Sequence, residues 1–205
     1  MKKNYSAIII AFLVFGAVFF YGCSKENNPT EAPDYFPLAL GNSWTFEVTA
    51  PDSAGNDSIY TEVQTVDHTT THDSLDWFVV LSVTDSSTDS SYYRKSDYFL
   101  ESIFFYNGSI LDDIIAVSPI EPSVGFTWND TVNITVYGEV EAQEEITVPA
   151  GTFQCYRERI EVNALGGLIS IIIYNWLSDG VGPARIMYIS GEDTTDMKLT
   201  TYSVQ

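Results

Sequence analysis

Asp67-His68-Thr-Thr-Thr-His72-Asp73 is the grouping with the most evident chemistry in this chain of 205 residues. On a helix, imidazoles four residues apart share a face and can chelate zinc together. Along a strand the same spacing sets them about 13 Å apart, too far to share one ion. A hairpin loop would let them converge, with an aspartate on each side. No third ligand motif accompanies them, so a polar turn and no metal is the reading taken. The pairs Asp112-Asp113 and Glu144-Glu145 are adjacent residues, which point to opposite faces of a strand and make no ready acid–base couple. Arg157 and Arg159 share a strand parity with Phe153 and Cys155. Two guanidiniums so placed either clamp an anion or pair across strands with Glu or Asp. There is no G-x-S-x-G elbow, and Gly180-Val-Gly182-Pro183 leads into neither a helix nor a Lys-Ser/Thr pair, which excludes a phosphate cradle. No motif supplies a nucleophile, a base or a metal set, so neither enzymatic activity nor a cofactor is expected.

The thiol of Cys23 stands in a different context. It follows Lys2-Lys3, an apolar run from Ala7 to Phe20, and the small Gly22. A basic start, a short apolar core and Gly-Cys resemble a bacterial lipoprotein signal, in which the cysteine is lipidated and becomes the first mature residue. Phe20 and Tyr21 stand where such signals usually carry Leu and a small residue. A helix of about 15 residues rises about 22 Å, short of the roughly 30 Å hydrocarbon core, which disfavours a permanent span. Residues 1–22 are therefore read as the signal and 23–33 as a flexible, Pro-bearing tether without aromatics. Residues 34–205 are read as one domain. Ser24 follows the cysteine where inner-membrane retention typically uses Asp, so the outer membrane is the expected address.

After residue 22, seven cations face all 28 acidic residues, an excess of 21 negative charges. Such a field repels phosphate backbones and excludes nucleic acid as a partner. It equally disfavours adhesion to anionic headgroups, leaving acyl chains on Cys23 as the membrane attachment. Lipidation of Cys23 leaves Cys155 without a disulfide partner, and its place in an apolar alternation predicts a buried small hydrophobe.

These elements must be held by strands. Thr, Val, Ile, Tyr and Phe dominate, cut by polar clusters about every ten residues, such as Asp73-Ser74, Asp85-Ser86-Ser87, Asn107-Gly108, Gly166-Gly167 and Gly191-Glu192. Trp44, Phe46 and Val48 alternate with Thr45, Glu47 and Thr49. Further strands are predicted near 59–66, 77–83, 98–106, 132–140, 145–148, 153–162, 168–177, 184–189 and 198–204. Ile110-Leu111-Asp-Asp-Ile114-Ile115 reads as one or two helical turns or an irregular strand. The fold class is all-β: a single antiparallel, strongly curved sheet or half-barrel of about 9–11 strands, with little helix after the signal. Gly41-Asn-Ser-Trp44 and Gly125-Phe-Thr-Trp128 each open a strand after a proline, the Gly allowing a turn and the Trp plugging the sheet end.

One strand breaks the alternation. Leu168, Ile172, Tyr174 and Trp176 occupy one parity, and Ile169, Ile171, Ile173 and Leu177 the other. Both faces must be covered, by a second layer, a ligand or a partner. Ile169, Ile171, Ile173 and Trp176 are the candidate ligand-binding residues.

Three motifs carry a family resemblance. Tyr35-Phe-Pro-Leu-Ala-Leu-Gly-Asn-Ser-Trp-Thr-Phe46 resembles the opening of a broad group of bacterial lipoproteins without an assigned function. Val148-Pro-Ala-Gly-Thr-Phe153 with Cys155-Tyr156 is similar to their central signature, and Trp176-Leu-Ser-Asp-Gly-Val-Gly-Pro-Ala-Arg185 to their closing one. The resemblance implies a curved sheet like that of the lipoprotein-localisation carriers LolA and LolB, whose concave face can hold acyl chains, and it implies no catalytic residues. Arg157 and Ala184 depart from the group's usual aliphatic residue and valine. The expected protein is thus a non-catalytic, membrane-anchored lipoprotein binding a hydrophobic, lipid-like ligand or an envelope partner protein. The alternative is a structural or adhesive surface module with no small ligand.

Overall fold

Alternation in β1 (Ser43–Pro51) buries Trp44, Phe46 and Val48 on one face, and antiparallel partners continue that face on both sides. The computed structural model describes residues 32–205 except 53, 107–108, 132–133, 165–166 and 168, and of 104–106, 109–113 and 169 it describes the backbone alone. The signal, Cys23, the tether up to Glu31, and Asn107-Gly108 therefore lie outside the described residues.

Eleven more strands follow: β2 (Asp57–His72), β3 (Leu75–Val83), β4 (Thr88–Lys95), β5 (Phe99–Tyr106), β6 (Ser109–Pro119), β7 (Thr127–Thr131), β8 (Ile134–Val148), β9 (Gly151–Ala164), β10 (Ile169–Ser178), β11 (Gly182–Ser190) and β12 (Asp193–Ser203). They form one antiparallel sheet in the order β6-β5-β4-β3-β2-β1-β12-β11-β10-β9-β8-β7. Every hairpin neighbour pairs, and β1 and β12 join in the middle, so a nearly closed barrel remains open only between β6 and β7. No α-helix occurs among the described residues. Residues 33–205 form one compact unit with its own core.

The expected curved antiparallel sheet is present, with twelve strands where about 9–11 were predicted. β4 was missed because Thr-Asp-Ser-Ser-Tyr-Tyr-Arg-Lys is polar, whereas the strand expected to open at Gly125-Phe-Thr-Trp128 is the short β7, which buries only Trp128. The segment Ile110–Ile115, read as helical turns or an irregular strand, is the irregular strand, part of β6 with shifted register against β5. The two strands predicted over 132–140 and 145–148 are one, β8, with a bulge between Val140 and Ala142. The β2–β3 turn at Asp73-Ser74 has φ of 50° and 63°, as a two-residue turn with both central residues left-handed requires.

The two Gly-x-x-Trp segments are built alike. Gly41 and Gly125 have φ of 86° and 87°. Gly41 N–H donates to Val66 O while Val66 N–H donates to Asn42 O; Gly125 and Phe126 repeat both bonds with Val140. Each Trp is buried, and each indole N–H is bonded: Trp44 to Val181 O at 2.6 Å, Trp128 to Ala116 O at 3.2 Å. The second bond crosses the gap from β7 to β6, as does Asp130, which accepts from Ala116 N–H at 3.1 Å. Side chains thus hold the edges that backbone pairing leaves apart.

Candidate functional site

Inside the sheet lies a cavity of about 420 Å³. Its wall comes from the inward parity of successive strands: Val80 of β3, Leu100 of β5, Val117 of β6, Val136 of β8, Ile160 of β9 and Ile173 of β10. That volume falls in the range of small-molecule pockets, about 300–1,000 Å³, and its lining is predominantly apolar, as such pockets are.

One end is crossed by residues 34–39. Phe36, Pro37 and Leu38 line the cavity there beside Trp44. Asn42 Nδ2 donates to Pro37 O at 2.6 Å, and Gly180 N–H donates to Asp34 O at 2.8 Å. Lys95 Nζ reaches Asp34 Oδ1 at 2.7 Å. The segment is therefore tied to β4 on one side and to the β10–β11 turn on the other.

A second chamber of about 270 Å³ shares Gln64, Val80, Ser91, Tyr93 and Tyr188 with the first, and adds Tyr60, Glu62, Ser82 and Thr195. Pairing places Tyr60, Glu62 and Gln64 opposite Val48, Phe46 and Trp44, so these polar residues share the inward face. Burial pushes the Tyr188 phenol up, with Tyr93 and Glu62 adding to the effect, and burial raises Tyr93 as well. Both phenols keep their protons at neutral pH and remain donors.

A buried acid stands beside the cavity. Glu158, 0% exposed, places both carboxyl oxygens 2.7 Å from Oγ of the cavity-lining Ser118. Burial pushes its pKa up to about 8, against the lowering effect of the Ser118 bond. At neutral pH the carboxyl is protonated, so one oxygen accepts from Ser118 and the other donates back.

The candidate residues of β10 divide between two environments. Ile173 lines the cavity together with Asn175 and Leu177. Ile171 is half-buried and outside that lining, and the side chain of Ile169, at the start of β10, is not described. Trp176 lies on the opposite face, packed with Cys155 and Ala184. Its Nε1 donates to Glu144 Oε1 at 2.7 Å, and the Arg185 guanidinium sits 4.8 Å over its ring. The two-sided strand thus has the cavity on one face and the protein's own β8–β9 hairpin on the other. That hairpin leaves β10 after Tyr156 and reaches β12, where Ala150 N–H donates to Leu199 O and Phe153 meets Tyr202 edge-on. Trp176 and Ile173 do not belong to one site.

His68 and His72 both sit on β2, where their spacing keeps them about 13 Å apart. Each has an aspartate within reach, Asp67 at 2.8 Å and Asp73 at 3.5 Å. Among the described residues no three His, Cys, Asp or Glu side chains are grouped to hold a metal ion. Arg157 bridges to Glu141 and Glu144 across the β8–β9 ladder, and Arg159 bonds Glu161. Cys155 is buried, and burial followed by the Glu144 charge pushes its thiol up to about 12.

Sequence reasoning missed Gln64, Tyr93, Tyr188 and Glu158. A signal existed for Glu158: it interrupts the inward run Tyr156, Ile160, Val162 of β9 with a single acid.

Fold and site together define an up-and-down twelve-stranded barrel, open at one seam, around an apolar chamber. A family model described as DUF3108-like matches residues 127–186, from β7 to β11. In fold the chain is similar to a candidate exported protein with a YmcC-like fold from Bacteroides fragilis NCTC 9343, at 15% identity and a TM-score of 0.54, covering 84% of this chain and 100% of that one. A candidate lipoprotein from Parabacteroides distasonis ATCC 8503 aligns at 15% identity and a TM-score of 0.48, covering 85% and 100%. No curated protein matches.

Proposed function

We propose that this protein is a non-catalytic lipoprotein of the cell envelope, anchored in the outer membrane through Cys23, that holds a hydrophobic small molecule inside its barrel. The observation that carries the reading is the 420 Å³ chamber lined by the inward residues of both halves of the sheet. A purely structural module would fill that space with side chains, since protein interiors are close-packed. The lipoprotein signal at Cys23 and the acidic surface support attachment by acyl chains.

The chain from Ser24 onward contains the whole compact unit and serves for the test. Titration with N-phenyl-1-naphthylamine, an uncharged fluorophore, should give saturable one-to-one binding with a blue-shifted emission. Ile173→Trp fills the chamber from its wall and should abolish that signal with the melting temperature kept. A wild-type protein that never binds the probe, or a variant that binds it equally well, would overturn the reading.

A further inference from the structure

The interior is polarised along its length. Mostly apolar side chains surround the larger chamber, with Ser102, Ser118 and Asn175 among them, and where it meets the smaller one the wall changes, beside Val80, to Gln64, Ser91, Tyr93 and Tyr188. Beyond them stand Tyr60, Glu62, Ser82 and Thr195. These groups offer phenol and hydroxyl protons, amide protons and carbonyl oxygen. The charge is one-sided: among the described residues lining either chamber there is no Lys, Arg or His, and Glu62 is the charged group present. Glu62 Oε1 also accepts from Gln64 Nε2 at 2.8 Å, which holds that carboxylate at the junction.

We propose that the junction selects an amphiphile with an uncharged, hydroxyl-bearing headgroup, its tail in the larger chamber and its head between Gln64, Ser91, Tyr93 and Tyr188. The inference rests on the reading that the chamber holds an apolar molecule, and it adds the headgroup. A carboxylate head would leave water for a site with no cation and would face Glu62, and an uncompensated buried charge is strongly unfavourable. A hydroxyl head meets donors and acceptors matched to it. The phenols of Tyr93 and Tyr188 stay protonated and supply the donors.

Displacement of N-phenyl-1-naphthylamine from the Ser24–Gln205 chain at pH 7.5 tests this with two ligands of one acyl length, 1-monodecanoylglycerol and decanoate. The glyceride should displace the probe at a concentration at least about tenfold lower, the ratio that ~1.4 kcal/mol supplies. Tyr93→Phe combined with Tyr188→Phe should weaken the glyceride and leave decanoate unchanged. Glu62→Gln should strengthen decanoate alone, a readout that a merely structural role for Glu62 would not move. Equal displacement, preference for decanoate, or displacement by neither while the probe binds would overturn the headgroup proposal and leave the apolar chamber standing. Absence of probe binding would overturn the proposed function itself.

Discussion

Gly138→Ala adds one methyl group at the barrel's seam. Gly138 of β8 lies directly across from Trp128 of β7, and a Cβ on it would stand 2.1 Å from indole atoms Cε2 and Cζ2. The indole must move by more than an ångström. It is packed among buried Ile115, Val136 and Val140, and its N–H holds Ala116 of β6. Overpacking of this kind costs about 1–3 kcal/mol. Loss of the indole hydrogen bond adds about 0.5–1.5 kcal/mol. Replacing a strand glycine by alanine returns about 0.5–1 kcal/mol. The expected net loss is about 2 kcal/mol, near the middle of those ranges. Trp128→Ala alone should cost about 3–5 kcal/mol, as for large buried aromatics. With the indole gone, Ala at position 138 has nothing to strike, so Gly138→Ala should be neutral or stabilising in that background. Urea unfolding followed by circular dichroism on the wild type, both single variants and the double variant measures the coupling. If the two effects simply add, a methyl at position 138 does not act through the Trp128 indole, and the reasoning fails.

Two further predictions follow from buried titratable groups. Glu158 is pushed up to about 8 from an ordinary value of 4.5, so the folded state holds a proton that the unfolded state releases. Stability should therefore be full below about pH 4.5, fall as pH rises, and level off above about 8; Glu158→Gln should flatten that part of the melting profile, and an unchanged slope would refute the assignment. Cys155, with its thiol held near 12, should resist maleimide at pH 7.5 in the native state and react at once in urea, as read by intact mass. Rapid labelling of the native protein would show the thiol to be accessible.

Most strands that sequence reasoning located have two faces that differ, such as β1, with Trp44, Phe46 and Val48 inward and Thr45 and Glu47 between them. β4 was illegible for a local reason. Its inward residues Ser91 and Tyr93 line the cavity's polar end, so the strand has no apolar face to read. The double-faced character of β10 was legible, but its cause was not. That Trp176 is covered by Cys155 and Ala184, while Ile173 looks into a cavity, follows from the register of β9, β10 and β11 and not from the parity of β10 alone. The paired Gly-x-x-Trp segments were readable as a repeated device. Their shared partners, Val66 and Val140, lie at different sequence distances and emerge only from the register.

The position of β12 has a consequence for the order in which this chain can fold during synthesis. β12 is made after the other eleven strands, yet it lies between β1 and β11, at the centre of the sheet. Phe46 and Val48, both 0% exposed, are covered on one side by Leu199 and Met197, and Trp44 pairs with Tyr202. The first six strands can form their hairpins as they emerge, but β1 keeps an unpaired edge until the final eleven-residue strand arrives. Pairing across so long a separation is slow, because loop closure must precede any gain from contact. A chain that stops at Glu192 would leave a six-stranded and a five-stranded fragment with the central strand missing, and a protein lacking its middle cannot hold the two halves around a common interior.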